Sequence, residues 1–229
     1  MEAKPSIIDV VKSYINAILT SVSGIKALIL DSETMNVVSL LFPKSVMLAH
    51  EVFLMELITN LPEYPMPYMK GIFLLRATKL NKLHLQRHLE APKFSEYHLY
   101  FTNIPVETPM QGMLHDLALS DAKSVVRSVQ QFYADFCVLS KELFSFDLPS
   151  VISLQKARDR WIGVDISLFN RIIEGLLAVL LGTRKHPVIR YQRSSEICSR
   201  LARELTVTLL NQSIGRDKER IGAIQQQLW

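Results

Sequence analysis

The chain has 229 residues, room for one large domain or two small ones, and at 48% hydrophobic and 21% charged it is neither disordered nor fibrous. Two cysteines exclude a disulfide scaffold and a four-thiolate metal site, and eight glycines leave little for phosphate-cradling loops. The net charge of +4 is too small to argue for nucleic acid, but it is uneven: residues 1–150 carry 13 basic and 15 acidic side chains, residues 151–229 carry 13 and 7. That step suggests two units of different character that meet near residue 150.

Ser6-x-x-Asp9 has the form of a capping box, and Ile7, Ile8, Val11, Tyr14, Ile15 and Ile18 follow at helical spacing, so a helix is expected over 7–20. The apolar run 25–30 ends in Asp31 and reads as a buried strand. Residues 31–36 read as a turn, 37–42 as a second strand, 46–50 as a short helix and 52–57 as a third strand. Pro62, Pro65 and Pro67 mark 60–69 as a loop. A fourth strand is expected at 71–76, a helix at 80–89, a fifth strand at 97–101, a helix at 109–119 and a last strand at 128–139. Strands alternating with helices imply a three-layer α/β domain with a parallel sheet over residues 1–140.

Residues 144–149 read as a linker, 167–181 as a long helix, 187–191 as a strand, and a helix capped by Ser194 or Ser195 runs to about residue 210. One strand cannot make a sheet, so the second unit reads as an incomplete α/β domain over 141–210, followed by a polar tail over 211–229. No secretory signal is visible at the start. The longest aliphatic stretch, 175–182, is far short of the roughly 20 residues that span a bilayer. A soluble intracellular chain is expected, with the sequon at Asn211 left bare.

No glycine-rich phosphate loop follows a strand, and no nucleophile elbow is present. His84 and His88 stand i, i+4 as metal ligands would, yet among Lys, Arg and Gln they read as a solvated surface pair. His50, His98, His115 and His186 read as surface or satisfied histidines, and Cys137 and Cys198 as buried thiols. Asp31 lies at the carboxyl end of the first strand, where open α/β sheets bind ligands, so it stands either as the centre of a small enzyme site or as a turn or helix cap. Arg184, Lys185, Arg190, Arg193, Arg200 and Arg203 form a basic region with too few aromatic residues for base stacking, and a solvated helix face is the alternative to an acidic partner.

Four segments, 25–54, 92–103, 129–148 and 175–203, are similar, in order and in register, to the Sec/Munc (SM) family of syntaxin-binding vesicle-fusion proteins, in its endosomal and trans-Golgi branch. The resemblance implies a non-enzymatic, cofactor-free and metal-free regulator of vesicle docking and fusion. It would bind a syntaxin-type SNARE, not nucleic acid, act as a monomer, and be cytoplasmic and only peripherally associated with membranes. It implies that residues 1–140 are a peptide-binding first domain and 141–210 the first segment of a second. The tail departs from the family, as a chain cut short after its N-terminal part would. It also implies a pocket for the syntaxin N-terminal peptide on the outer face of the first domain, with Leu114 as pocket residue and Val129, Gln131 and Phe132 as neighbours. Without the resemblance, Leu114 reads as a core leucine of its helix. Relatives often carry an acid where this chain has Gln131, which implies weaker recognition of a peptide arginine.

Overall fold

The structure, a computed structural model, describes residues 6–213 apart from 61, 104, 106–109, 149–151, 156–159 and 185–187. Pro109, Lys185, His186, Pro187 and the tail from 214 onward, all invoked above, lie outside the described residues.

Five strands form one parallel sheet: β1 (Lys26–Leu30), β2 (Val52–Leu57), β3 (Lys70–Leu75), β4 (Tyr97–Phe101) and β5 (Val126–Gln131), in the order β2-β1-β3-β4-β5. Side chains alternate across a strand, and the alternation divides the core cleanly. Leu28, Leu30, Ile72, Leu74 and Tyr100 face an inner core with α1 (Ile7–Ser21), α2 (Ser32–Leu41) and Met47 of α3 (Lys44–Ala49). Ala27, Ile29, Phe73, Leu75, Tyr97, Leu99 and Phe101 face an outer core with α4 (Lys79–Glu90) and α5 (Met110–Ser120). The central strands, buried on both faces, account for their unbroken apolar runs.

The capping box at Ser6 and Asp9 starts α1 as its spacing requires. The expected turn at 31–36 and strand at 37–42 are instead one helix, α2. Asp31 caps it by accepting from the Thr34 amide at 2.7 Å, and Thr34, Val37 and Val38 face inward at i, i+3, i+4. An apolar run of six looks alike as a strand or as a helix segment, and the cap decides for the helix. The expected strand at 128–139 is divided: β5 stops at Gln131, and Cys137–Val138 (β6) pairs antiparallel with Phe144–Ser145 (β7) inside the supposed linker. From β2 to β3 the chain passes over β1 with no helix among the described residues, and Ile58 and Met69 of that connection close the outer core.

The inner core continues past residue 140, since Phe144 and Phe146 pack against it and Ala178 lies inside it. Ala178 belongs to α6 (Gly163–Thr183), whose other side meets α7 (Glu196–Ser213) around Leu168, Phe169, Ile173, Leu177 and Leu205. Residues 188–191 hold no strand, a correction to the expected 187–191 strand: they pair with no strand among the described residues.

Candidate functional site

On the outer face, α5 turns Met113 and Leu117 into the core, spaced i, i+4, with Leu114 partly buried beside them. The neighbouring strand β5 is one of the sheet's two edge strands. Its register pairs Leu99 with Val129 and Phe101 with Gln131, and paired residues of parallel strands share a face. Val129 and Gln131 therefore stand on the face that α5 covers, together with Leu114. Val129 remains 43% exposed, a high value for an aliphatic side chain on a sheet. Gln131 is exposed, and its Nε2 donates to the Asn103 carbonyl at 2.7 Å, which fixes the amide and leaves its carbonyl oxygen as an acceptor.

Phe132 does not join them. One residue past Gln131, it falls on the inner face, with ring centroids 5.3 Å from Tyr14 and 5.9 Å from Tyr100. Three of the four expected pocket residues thus share one face, and the fourth supports the strand from the opposite side.

At the carboxyl edge of the sheet, Asp31 is a joint. Its carboxylate accepts from the Arg76 amide at 2.6 Å, from Asn81 Nδ2 at 2.6 Å, and from the amide and hydroxyl of Thr34. It is 4% exposed, and burial raises its pKa against the pull of these donors. The Asp31 of the sequence reading is therefore a helix cap that also ties β1 to the end of β3 and the start of α4.

Beside it lies a charged cluster that the sequence reading missed. Arg76 donates through Nε to Asp135 at 2.9 Å and through Nη2 to Glu174 at 2.7 Å. Arg171 reaches the other Asp135 oxygen at 3.0 Å, and Asn103 Nδ2 donates to Glu174 at 3.0 Å. Burial pushes the Asp135 carboxyl up to about 7, against the pull of both guanidiniums. The only trace in the sequence is charge set inside apolar runs, at Arg76 after β3 and at Arg171 and Glu174 in α6.

The histidine pair is corrected too. His88 is fully buried, bonded through Nε2 to the Ile58 carbonyl at 3.0 Å and edge-on to Phe73, while His84 is only partly buried. His98 meets Ser128 through Nδ1 at 2.9 Å, while its buried Nε2 has no hydrogen-bond partner, so the expected surface or satisfied histidine is only half satisfied. Cys137 is buried, whereas Cys198 is only partly so. In the basic region, the Arg200 guanidinium lies over the Trp161 ring at 5.2 Å. No helix among the described residues is long and apolar enough to cross a membrane.

The strand order is that of flavodoxin-like sheets, which take ligands at the crevice between the first and third strands. Here that crevice is lined and bridged by the chain's own side chains, which defines the class: a parallel α/β domain joined at its carboxyl edge to a helical unit. The chain belongs to the Sec1 family, whose sequence profile matches residues 26–225. It is 38% identical over 200 residues to the vacuolar protein sorting-associated protein 45 of Dictyostelium discoideum, covering 87% of this chain and 34% of that protein. The Homo sapiens protein of the same name is 35% identical over 198 residues, covering 86% and 33%. Among solved structures, the SM protein Vps45 in complex with the Qa SNARE Tlg2 superposes with a TM-score of 0.85 at 31% identity, over 96% of this chain and 39% of that one. The Unc18–syntaxin 1 complex of Monosiga brevicollis, with a TM-score of 0.75 at 17% identity over 92% and 37%, shares the fold. The chain spans about a third of the length of the curated relatives it matches.

Proposed function

We propose that this chain grips the N-terminal peptide of a syntaxin-type SNARE between α5 and β5. It does so as part of a non-enzymatic regulator of vesicle docking and fusion in endosomal, trans-Golgi and vacuolar transport. The observation that carries this reading is the exposed apolar shelf at the β5 edge of the sheet, where Leu114 and Val129 share one face with a fixed polar group, Gln131, at the rim. A leucine or phenylalanine anchor buries its apolar surface on such a shelf, and the polar rim orients the peptide. The Gln131 carbonyl accepts a hydrogen bond from a peptide donor, but it offers an arginine neither the negative charge nor the second oxygen of a carboxylate, so it holds an arginine more weakly. The similarity to a Vps45 that was solved with a Qa SNARE supports the choice of partner. On this reading the protein is a cytoplasmic monomer that needs no cofactor and binds no nucleic acid. It meets endosomal and trans-Golgi membranes only peripherally, through the SNARE. Residues up to about 140 form the peptide-binding domain, and 141–210 begin a second.

The test is a fluorescence titration of the full chain with labelled syntaxin N-terminal peptides. Binding in the micromolar range or tighter is expected, with loss of binding in Leu114→Arg, which sets a charge on the shelf. Failure of every such peptide to bind would overturn the reading, while membership of the Sec1 family would stand.

A further inference from the structure

The face of α6 that meets the sheet domain is made of two unlike halves. Toward its C-terminal end the seat is close-packed. Ala178 is inside the inner core, a Cβ at Gly175 would collide with the Phe146 ring, and one at Gly182 would come to 2.8 Å from the Tyr133 carbonyl oxygen. Gly182 also offers its carbonyl to the Tyr14 hydroxyl at 3.5 Å. Toward its N-terminal end the seat is ionic, since Arg171 and Glu174 engage Asp135, Arg76 and Asn103. Residues 171, 174, 178 and 182 recur at helical spacing, so both halves lie on one side of the helix, about 16 Å from end to end.

The ionic half is flanked by space. A cleft of about 280 Å3 opens between α6 and the start of α4, with Thr78, Lys79, Pro105, Ser167 and Asn170 around the two arginines. Apolar packing resists shear and separation together, whereas a paired charge beside a cleft exchanges its partner for water when the pair opens. Buried ion pairs add little net stability over apolar contacts of the same volume, but they fix one geometry.

We propose that the Arg76–Asp135–Arg171–Glu174 cluster is a latch that holds the N-terminal half of α6 against the carboxyl edge of the sheet. When the latch opens, this half of α6 moves about the close-packed seat that begins at Gly175 and runs through Ala178 to Gly182, while the sheet stays folded. The latch sets the angle at which the unit formed by α6 and α7 leaves the sheet domain. It does not depend on the peptide reading, because the shelf at β5 is on the opposite face of the sheet from the core that receives Ala178.

Native-state hydrogen exchange on the full chain, read by mass spectrometry, tests it. In the unaltered chain, the amides of the first three turns of α6 should exchange through an opening that leaves β1, β3 and β4 protected. In Glu174→Gln that opening should be at least about tenfold more frequent, with the strand amides unchanged. Lys82→Ala, which removes a surface pair with Asp116, should change neither. The proposal is overturned if α6 in the unaltered chain exchanges only together with the strands. It is equally overturned if Glu174→Gln speeds both regions alike, or neither. Should Glu174→Gln fail to fold, the unaltered chain alone decides.

Discussion

His88 is a buried base with a single partner. Its Nε2 meets the Ile58 carbonyl, its Nδ1 has no hydrogen-bond partner, and Phe73 lies against the ring. Burial lowers its pKa below 6.5, the ordinary value, and the neighbouring His84 lowers it further. Between that lowered value and 6.5 the unfolded chain binds more protons than the folded one, so stability falls as the pH drops through this window. His88→Gln keeps a donor for the carbonyl and does not titrate. Urea unfolding from about pH 5 to pH 7 should therefore show a steeper acid loss in the unaltered chain than in the variant. Equal slopes would contradict the assignment, and taking the difference between the two chains removes the contribution of Asp135. The sequence showed the i, i+4 spacing but not which side of α4 faces the core, because a helix rich in Lys, Arg and Gln carries a weak apolar pattern. Leu114 was equally ambiguous as a single residue, and only the resemblance across four segments gave it a role.

At the scale of elements, continuous apolar runs were legible as buried, but their conformation was not always so. The run at 25–30 is a strand and the run at 37–42 is the second half of a helix with its C-cap, although each is an apolar run of six with one polar residue. What separates them is Asp31, whose carboxylate collects the first turn of α2, the end of β3 and a side chain of α4. Removing it strands the buried Arg76 and Thr34 amides, at about 1–3 kcal/mol each. Asp31→Ala should therefore cost about 2–6 kcal/mol in chemical denaturation. A loss below about 1 kcal/mol would show that water replaces the carboxylate. Phe132, just past the end of β5, shows where the pattern does suffice: strand alternation sets it opposite Val129 and Gln131, and its ring contacts with Tyr14 and Tyr100 place it on the inner face.

Across the whole molecule, the parallel α/β class and the order of elements were legible, because each buried strand announces itself and most connections carry a helical pattern. The seat of α6 was not. The charge step near 150 and the linker at 144–149 suggested separate units, yet Phe144, Phe146 and Ala178 share one core with α1. The glycines at 175 and 182, seven apart on one helix side, were the available signal. Gly182→Ala gains at most about 1 kcal/mol of helix propensity. It meets a backbone carbonyl that cannot turn aside, an overpacking cost of ~1–3 kcal/mol. A net loss, about 1 kcal/mol at the middle of these ranges, is expected in thermal or urea unfolding, and a stabilised variant would place α6 farther from Tyr133 than the structure does.

The proposed seat of a syntaxin N-terminal peptide is tested most directly by hydrogen exchange of the full chain with and without a saturating concentration of that peptide. New protection is expected in α5 and β5, around Leu114 and Val129, with the carboxyl-edge cleft by Thr78 and Asn170 unaffected. Protection confined to that cleft, or to α7, would contradict this placement.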